Sequence, residues 1–486
     1  MARVVVMGAG VAGHTAALHL KRKLGKQHDV VVVSPNSQWN WIPSNIWVGV
    51  DRMAASKVVF PLAPIYRKKK IEFHQAKATT ILPDGDAHDP RSQIEVEYTS
   101  PAASGSTARI PYDYLINATG PALNFAATPG LGPDTGHTVS VCTPSHAVHA
   151  AQELKAITAR LKNGEKLTLV VGTGHGTCTC EGAAFEYVLN VEHELRRHGV
   201  RDNADIVFFT NEMELGDFGV GGMIIKDKGS FISGGALAGT LFAERGIRTV
   251  LGAAATAITA DTIEYVQVDG APQSLHFDFS MLLPPFRGVP FEVRDRDGRD
   301  ITATVFAPSG FMKVDADYAP KAYEDWQASD WPKTYQSPAY PNMFAAGIAF
   351  APPHAISEPH QTPDGVMIAP APPRTGQPSG AIAKAVAFSI VDMIQSGAKT
   401  PTHTAPMNHL AAACVASAGT GAFEGSAVAM VMSPIIPDFT QYPETGRNIT
   451  ETTAEIGLGG HWAKRILHTA FMYKMHGYPF WWVVPE

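Results

Sequence analysis

Charge is the first thing this chain is short of. Only 17% of its 486 residues are charged, and 39 Lys and Arg face 45 Asp and Glu for a net of −6. A typical soluble domain carries about 25% charged residues. Nucleic-acid binding needs a basic stripe, so nucleic acid is not an expected partner. The single basic run, Arg67-Lys68-Lys69-Lys70, reads as a solvated loop or helix end. Cysteine is scarcer still: four residues make no disulfide scaffold. No stretch approaches the run of about 18 apolar residues that a membrane-spanning helix requires. No cleavable signal peptide is expected, because Met1-Ala2-Arg3 runs straight into Val4-Val5-Val6 and then glycines. What the chain does have is apolar mass, 45% of residues, which excludes a disordered chain. At roughly 150 residues per domain, two to four domains are expected.

Residues 3–7 read as a buried parallel strand. Gly8-Ala9-Gly10-Val11-Ala12-Gly13 follows, and a helix continues from His14 to Lys23. In this strand–loop–helix setting GxGxxG predicts a dinucleotide site. Gly8 makes the turn, Gly10 admits the pyrophosphate, and Gly13 lets helix and strand approach. The next strand, Val30 to Val33, ends in Ser34-Pro35-Asn36 with no acid for the ribose, which leaves Ser34, Asn36 or water for that contact. Tyr114 to Asn117 runs into Ala118-Thr119-Gly120, and Asn342 to Ala346 is another short strand ending in Gly347. Both resemble the turns that flavoprotein disulfide reductases place against FAD. A discontinuous FAD domain, 1–120 plus 315–395, follows from that resemblance, with a second Rossmann-like domain at 121–314 and a C-terminal region at 396–486.

A second βαβ unit runs from the strand Lys166–Val171 through Gly172-Thr173-Gly174-His175-Gly176-Thr177-Cys178-Thr179-Cys180 to a helix from Glu181 to His198 and a strand Ile206–Phe209. A two-Rossmann reductase binds NAD(P)H here. This loop instead carries two cysteines. A cysteine in the opening turn of a helix gains thiolate character from the helix N-terminus, so Cys180 is a candidate nucleophile. The competing reading is a buried cysteine packed against the sheet.

Several segments then resemble one family, the sulfide:quinone oxidoreductases. Trp41 to Val50, with Pro43-Ser44-Asn45, resembles its flavin-side P-S-N-x-W-V loop. Cys142-Thr143-Pro144-Ser145-His146 resembles its C-x-x-x-H loop, and Cys180 to Glu186 resembles C-x-G-P-A-[YF]-E with Ala183 in place of proline. Leu283 to Gly288, Ala413 to Ala416, Arg374-Thr375-Gly376 and the tail from Gly460 complete the resemblance. It implies an FAD enzyme that oxidises sulfide to polysulfide or elemental sulfur and passes electrons to membrane quinone. It also implies a redox pair Cys180 and Cys414, 234 positions apart, with Cys142 as a third cysteine. Glu186, in the family's E position, is a candidate general base or a Glu that only caps or pairs within its helix, and His146 is a proton shuttle or a satisfied loop histidine. The cofactor contacts it implies are Gly8, Gly10, Ala12, Gly13, Ser34, Pro43, Ser44, Asn45, Ala78, Ala118, Thr119, Gly120, Gly347, Thr375 and Gly376. Cys178 has no counterpart. Asp217 stands where some members carry a histidine. His354 and His360 lack metal-ligand spacing, so no metal is expected.

The tail pairs apolar residues at Trp462/Ala463, Ile466/Leu467 and Ala470/Phe471, with Lys464/Arg465 and His468/Thr469 between them. An amphipathic helix with an aromatic end is the expected reading, lying on a bilayer rather than crossing it. The whole predicts an α/β chain of two Rossmann-like domains plus a C-terminal membrane-binding region, peripheral to a membrane and homo-oligomeric. Three alternatives remain. A type-2 NADH:quinone oxidoreductase would use the second glycine loop for NADH, with Glu212 just past the next strand. A flavocytochrome c-like sulfide dehydrogenase would carry a flavin-anchoring cysteine that the region from Gln38 to Ile46 lacks. A flavin-bound redox sensor would use the persulfide for partner binding.

Overall fold

The computed structural model describes all residues except 180, 228, 229, 374, 375 and 420–424. The first sheet is built from the valine runs. Arg3–Met7 pairs in parallel with Asp29–Ser34 on one side and Tyr114–Asn117 on the other, and Met343–Ala345 adds beyond Tyr114–Asn117. Glu72–Leu82 extends the parallel run past Asp29–Ser34, then turns antiparallel against Gln93–Tyr98. Val4, Val5 and Val6 are fully buried, as a parallel strand covered on both faces requires.

The helix Val11–Leu24 covers this sheet beside the helix Gly376–Gln395. The strand Met343–Ala345, more than 200 residues away, thus sits in the same sheet as the N-terminal strands.

The second sheet is wholly parallel, in the order Ile247–Val250, Ala204–Phe209, Leu167–Thr173, Phe279–Leu283. The helix Glu181–Arg197 packs on it. A third, antiparallel sheet of Ala412–Ala418, Ser426–Met432 and Thr453–Gly457 closes against that helix. The last helix, Leu458–Met475, lies across the third sheet.

Three local readings change. The P-S-N segment is not a loop: Ile42–Ser44 is a 3-10 turn and Asn45–Gly49 a short helix. His146 belongs to the first turn of the helix Pro144–Lys162, capped by Thr143, whose hydroxyl accepts from the His146 N–H. Gly376, which ends the Arg374-Thr375-Gly376 segment, is the first residue of a helix and not part of a loop.

The tail is the larger correction. The sequence pattern puts Lys464 and His468 on the polar, outward side. The structure turns the helix over. His461, Lys464, Phe471, Lys474 and Met475 face the protein and are buried, whereas Trp462, Ile466 and Leu467 face outward. Phe471 stacks on Trp41 at 4.7 Å between ring centroids. Beyond the helix, Trp481 is buried 4.7 Å from His19, and Glu486 accepts from His19 Nε2 at 2.8 Å and pairs with Lys474 at 2.7 Å. The tail is therefore part of the core and not a detachable appendage. Phe471, Met475 and Trp481 each stabilise the fold by about 1.5–3 kcal/mol through burial. Deleting residues 461–486 is expected to lower the thermal midpoint sharply or prevent soluble folding, which a melting curve of the truncated chain would check.

Candidate functional site

The two glycine loops diverge in what surrounds them. At the first, a Cβ on Gly8 would meet the Ala118 carbonyl oxygen at 2.2 Å, and one on Gly13 would meet the Gly8 carbonyl oxygen at 2.0 Å. These glycines let strand, turn and helix interlock. Gly347, at φ +67°, abuts Ala12, whose Cβ would lie 2.6 Å from an added one. Gly10 is different: nothing lies within 4 Å of its Cβ position, nor of those of Gly120 and Gly376. Tight where the backbone must pack and open where a phosphate must approach, this cradle fits a dinucleotide.

The second loop is filled by the protein itself. An added Cβ on Gly172 would meet Phe209 O at 1.6 Å, on Gly174 the Leu131 side chain at 2.4 Å, and on Gly176 Met367 O at 2.1 Å. Segment 369–371 ties the loop down, with Ala369 N donating to Gly176 O and Ala371 N to Cys178 O, both at 2.8 Å. Asn211 Nδ2 donates to the same two carbonyls. Glu212 is fully buried and accepts from Phe218 N at 2.7 Å and Gly216 N at 3.2 Å, so it faces the fold rather than a ribose. Nicotinamide dinucleotide has no evident bed here.

The cysteines gather around this filled loop. Cys178 is fully buried and its thiol donates to Leu283 O at 3.1 Å. Burial pushes the Cys178 thiol well up, and charge at Glu181 and Cys142 adds to the rise. Cys142 is half-buried just before the helix Pro144–Lys162, its thiol raised by burial to about 11. Cys414 lies on the strand Ala412–Ala418, and its Sγ is 3.1 Å from where a Cβ would stand on Gly182. Its thiol is also pushed up to about 11, first by burial and then by Glu186, with Lys464 opposing. Cys180 and Thr375 lie outside the described residues. The three described cysteines are free thiols.

Of the two readings of Glu186, the geometry matches the paired one. Lys464 donates to both of its carboxylate oxygens, Ser417 Oγ to Oε1 at 2.5 Å, and Ser417 N to Oε1 at 3.2 Å. A general base needs a free lone pair within reach of its proton. This carboxylate is instead locked in a buried ion pair, and Trp47 Nε1 donates to Ser417 Oγ at 2.9 Å beside it. Sequence reading missed Lys464 because a charged residue on an amphipathic helix reads as solvated.

The other expected contacts are placed as follows. Asn45 spends its amide on Asn40 and on Val141 O, and Ser44 Oγ bonds His468 Nδ1 at 2.9 Å. These two side chains brace the Asn45–Gly49 helix. Ser34 is buried and its Oγ accepts from Asn36 N. Thr119 Oγ1 donates to Asn117 Oδ1 at 2.8 Å, which shapes the turn at Gly120. Pro43 sits in the 3-10 turn, and Ala78 is buried opposite Val96. His146 is half-buried with Nε2 3.8 Å from Asp134; burial lowers its pKa against the opposing pull of that carboxylate.

Comparison with known proteins follows the same lines. A family model described as pyridine nucleotide-disulphide oxidoreductase matches residues 2–201. The sulfide-quinone reductase of Aquifex aeolicus (strain VF5) is 29% identical over 419 residues, covering 86% of this chain and 82% of that protein. The solved sulfide:quinone oxidoreductase of the same species superposes with a TM-score of 0.74 at 26% identity, covering 98% of this chain and 92% of that one. The chain is similar to the sulfide:quinone oxidoreductases over most of its length. It has their mixed α/β flavoprotein fold. NDH2 from Plasmodium falciparum, solved with NADH, shares the fold at a TM-score of 0.59 and 10% identity, covering 88% of this chain and 89% of that one. No helix among the described residues is long and apolar enough to cross a membrane.

Two outcomes follow for this site. Lys464→Met leaves a buried carboxylate unpaired and is expected to cost about 3–5 kcal/mol in urea unfolding, with Glu186→Leu added in the same chain recovering much of it. Iodoacetamide is expected to label Cys142 and Cys414 slowly in the reduced, folded protein at pH 7, and faster as the pH is raised toward their elevated values near 11.

Proposed function

We propose that this chain oxidises sulfide at a Cys180/Cys414 pair and delivers the electrons through FAD to a membrane quinone. The observation that carries the reading is the sulfur of Cys414, which stands over the first turn of the helix that follows Cys180 in sequence. The filled second glycine loop supports it against NADH as donor. The similarity to sulfide-quinone reductase over most of both chains supports the substrate and the acceptor.

In the oxidised enzyme the two cysteines form a disulfide. Hydrosulfide attacks one sulfur: HS⁻ + RS–SR′ gives RS–SH + R′S⁻. One S–S bond forms, one breaks, and the bonding pair leaves on the departing sulfur. Bound FAD supplies the two-electron acceptor for this thiolate. Gly8, Gly10, Ala12, Gly13, Ser34, Ala78, Ala118, Thr119, Gly120 and Gly347 would hold it, together with Gly376 at the start of the helix Gly376–Gln395 and Thr375 just before it in sequence. Successive sulfides lengthen the bound sulfur, released as polysulfide or elemental sulfur. The filled loop and the surrounding apolar core keep water from the sulfur intermediates. His146 exchanges protons on the Cys142 side as a largely neutral imidazole.

The lipid-facing side is the outward face of the last helix. Trp462, Ile466, Leu467, Tyr473, Phe480 and Val483 are exposed together with Ile42. Apolar and aromatic side chains of this kind rest in the bilayer interface, where quinone is available.

Anaerobic sulfide is expected to bleach the bound flavin of the purified enzyme, and a water-soluble quinone to restore its colour. Cys180→Ser and Cys414→Ser are each expected to abolish bleaching by sulfide while flavin stays bound. Bleaching by NADH but not by sulfide, or normal turnover in both variants, would overturn the reading.

A further inference from the structure

The mechanism leaves one buried group without a task. Glu181 directly follows Cys180 and opens the helix Glu181–Arg197. It is fully buried, and neither carboxylate oxygen has a hydrogen-bond partner. Unpaired burial of a carboxylate costs several kcal/mol, so such a group either binds something or holds a proton. Its Oε2 lies 3.7 Å from the Cβ position of Gly219, which aims it across the helix start into the loop 214–222.

That loop brings two more acids. Glu212 holds its backbone N–H donors from Gly216 and Phe218. Asp217 is half-buried; its Oδ2 accepts from Gly219 N at 3.1 Å and from the hydroxyl of Ser357. Glu181 feels the charge of both. The other groups facing the cluster are the Cys178 thiol, the Tyr323 phenol and the Arg447 guanidinium. Arg447 is buried but donates to the carbonyls of Val220, Pro434 and Ile435 rather than to a carboxylate. No group of His, Cys, Asp and Glu among the described residues is arranged to hold a metal ion.

We propose that Glu181, backed by Glu212 and Asp217, is the proton acceptor for the sulfur substrate at the start of the helix Glu181–Arg197. The inference rests on the sulfide reading above and deepens it. Hydrogen sulfide enters an apolar interior more readily as the neutral molecule. The step is H₂S + Glu181 carboxylate → HS⁻ + Glu181 carboxylic acid; one proton moves and no electrons do. The hydrosulfide so formed is the nucleophile for the disulfide. The proton then rests on Glu181 within the field of Glu212 and Asp217, of which Asp217, half-buried beside Ser357, is the most open to solvent. An ordinary carboxylate is a weak base for this task. Burial and the neighbouring acids raise Glu181 well above the usual range, and Glu212 to about 8, which suits a base working near neutrality. Asp217 is raised as well, with Arg447 opposing. The loop that holds an aspartate in place of a histidine thus keeps a proton carrier of another kind.

The test uses the flavin-loaded enzyme. Stopped-flow bleaching by sulfide in the wild type is expected to accelerate as pH rises through the titration of the cluster. Glu181→Gln is expected to slow bleaching about 10²-fold and to lose that limb, with flavin content and reduction by dithionite unchanged. Asp217→Asn removes a like charge and is expected to move the limb to lower pH. Infrared spectra of the wild type are expected to show a protonated-carboxyl band that Glu181→Gln removes. A Glu181→Gln enzyme with the wild-type rate and limb overturns the inference. Should that variant lose its flavin, an unmoved limb in Asp217→Asn together with no protonated-carboxyl band in the wild type overturns it equally. Failure of sulfide to bleach the wild type would instead sink the sulfide reading, and the infrared band would still decide whether the cluster holds a proton.

Discussion

The ion pair between Lys464 and Glu186 joins three parts of the molecule. Lys464 comes from the last helix, Glu186 from the helix that follows Cys180, and their shared partner Ser417 from the strand carrying Cys414. Both charges are almost wholly buried, so neither can tolerate the loss of the other. Such a pair adds little net stability over an apolar alternative. What it supplies is register: the cysteine strand, the cysteine helix and the outward-facing helix meet in one arrangement. Asn190 strengthens the same junction, donating to Ser417 O at 2.5 Å.

The two glycine loops show one local grammar put to opposite ends. Both follow a parallel strand and precede a helix. In the first, an open Gly10 leaves space for an anion at a helix N-terminus. In the second, the Leu131 side chain stands where a Cβ on Gly174, the counterpart of Gly10, would point.

The last helix is built inside out by the usual standard. Its lysines turn in, where Glu186, Glu486 and backbone carbonyls receive them, and Trp462, Ile466 and Leu467 turn out. In water this exposes apolar surface at a cost; against a lipid interface the same surface is stabilising. Because the inward charges reach the cysteine strand, the apolar face and the thiol chemistry share one rigid support.

Much of the architecture was readable from residue order. Unbroken valine strands, GxGxxG between strand and helix, and the second βαβ unit are local signals, and each formed where expected. The cysteine at 414 was placed beside the helix after Cys180 only through resemblance, since no local pattern links positions so distant. The pairing of Lys464 with Glu186 spans 278 positions and reversed the face assigned to the tail. Periodicity reports which residues share a side of a helix, but not which side meets the protein. Glu181 carried a faint signal, an acid next to a cysteine, yet its meaning depends on Glu212 and Asp217 arriving from another loop. Sequence alone determined the elements and the cofactor cradle, because backbone turns and strand burial depend on near neighbours. Tertiary structure decided which charges are buried and which helix Cys414 stands over, because desolvation and proximity depend on what the fold brings from afar.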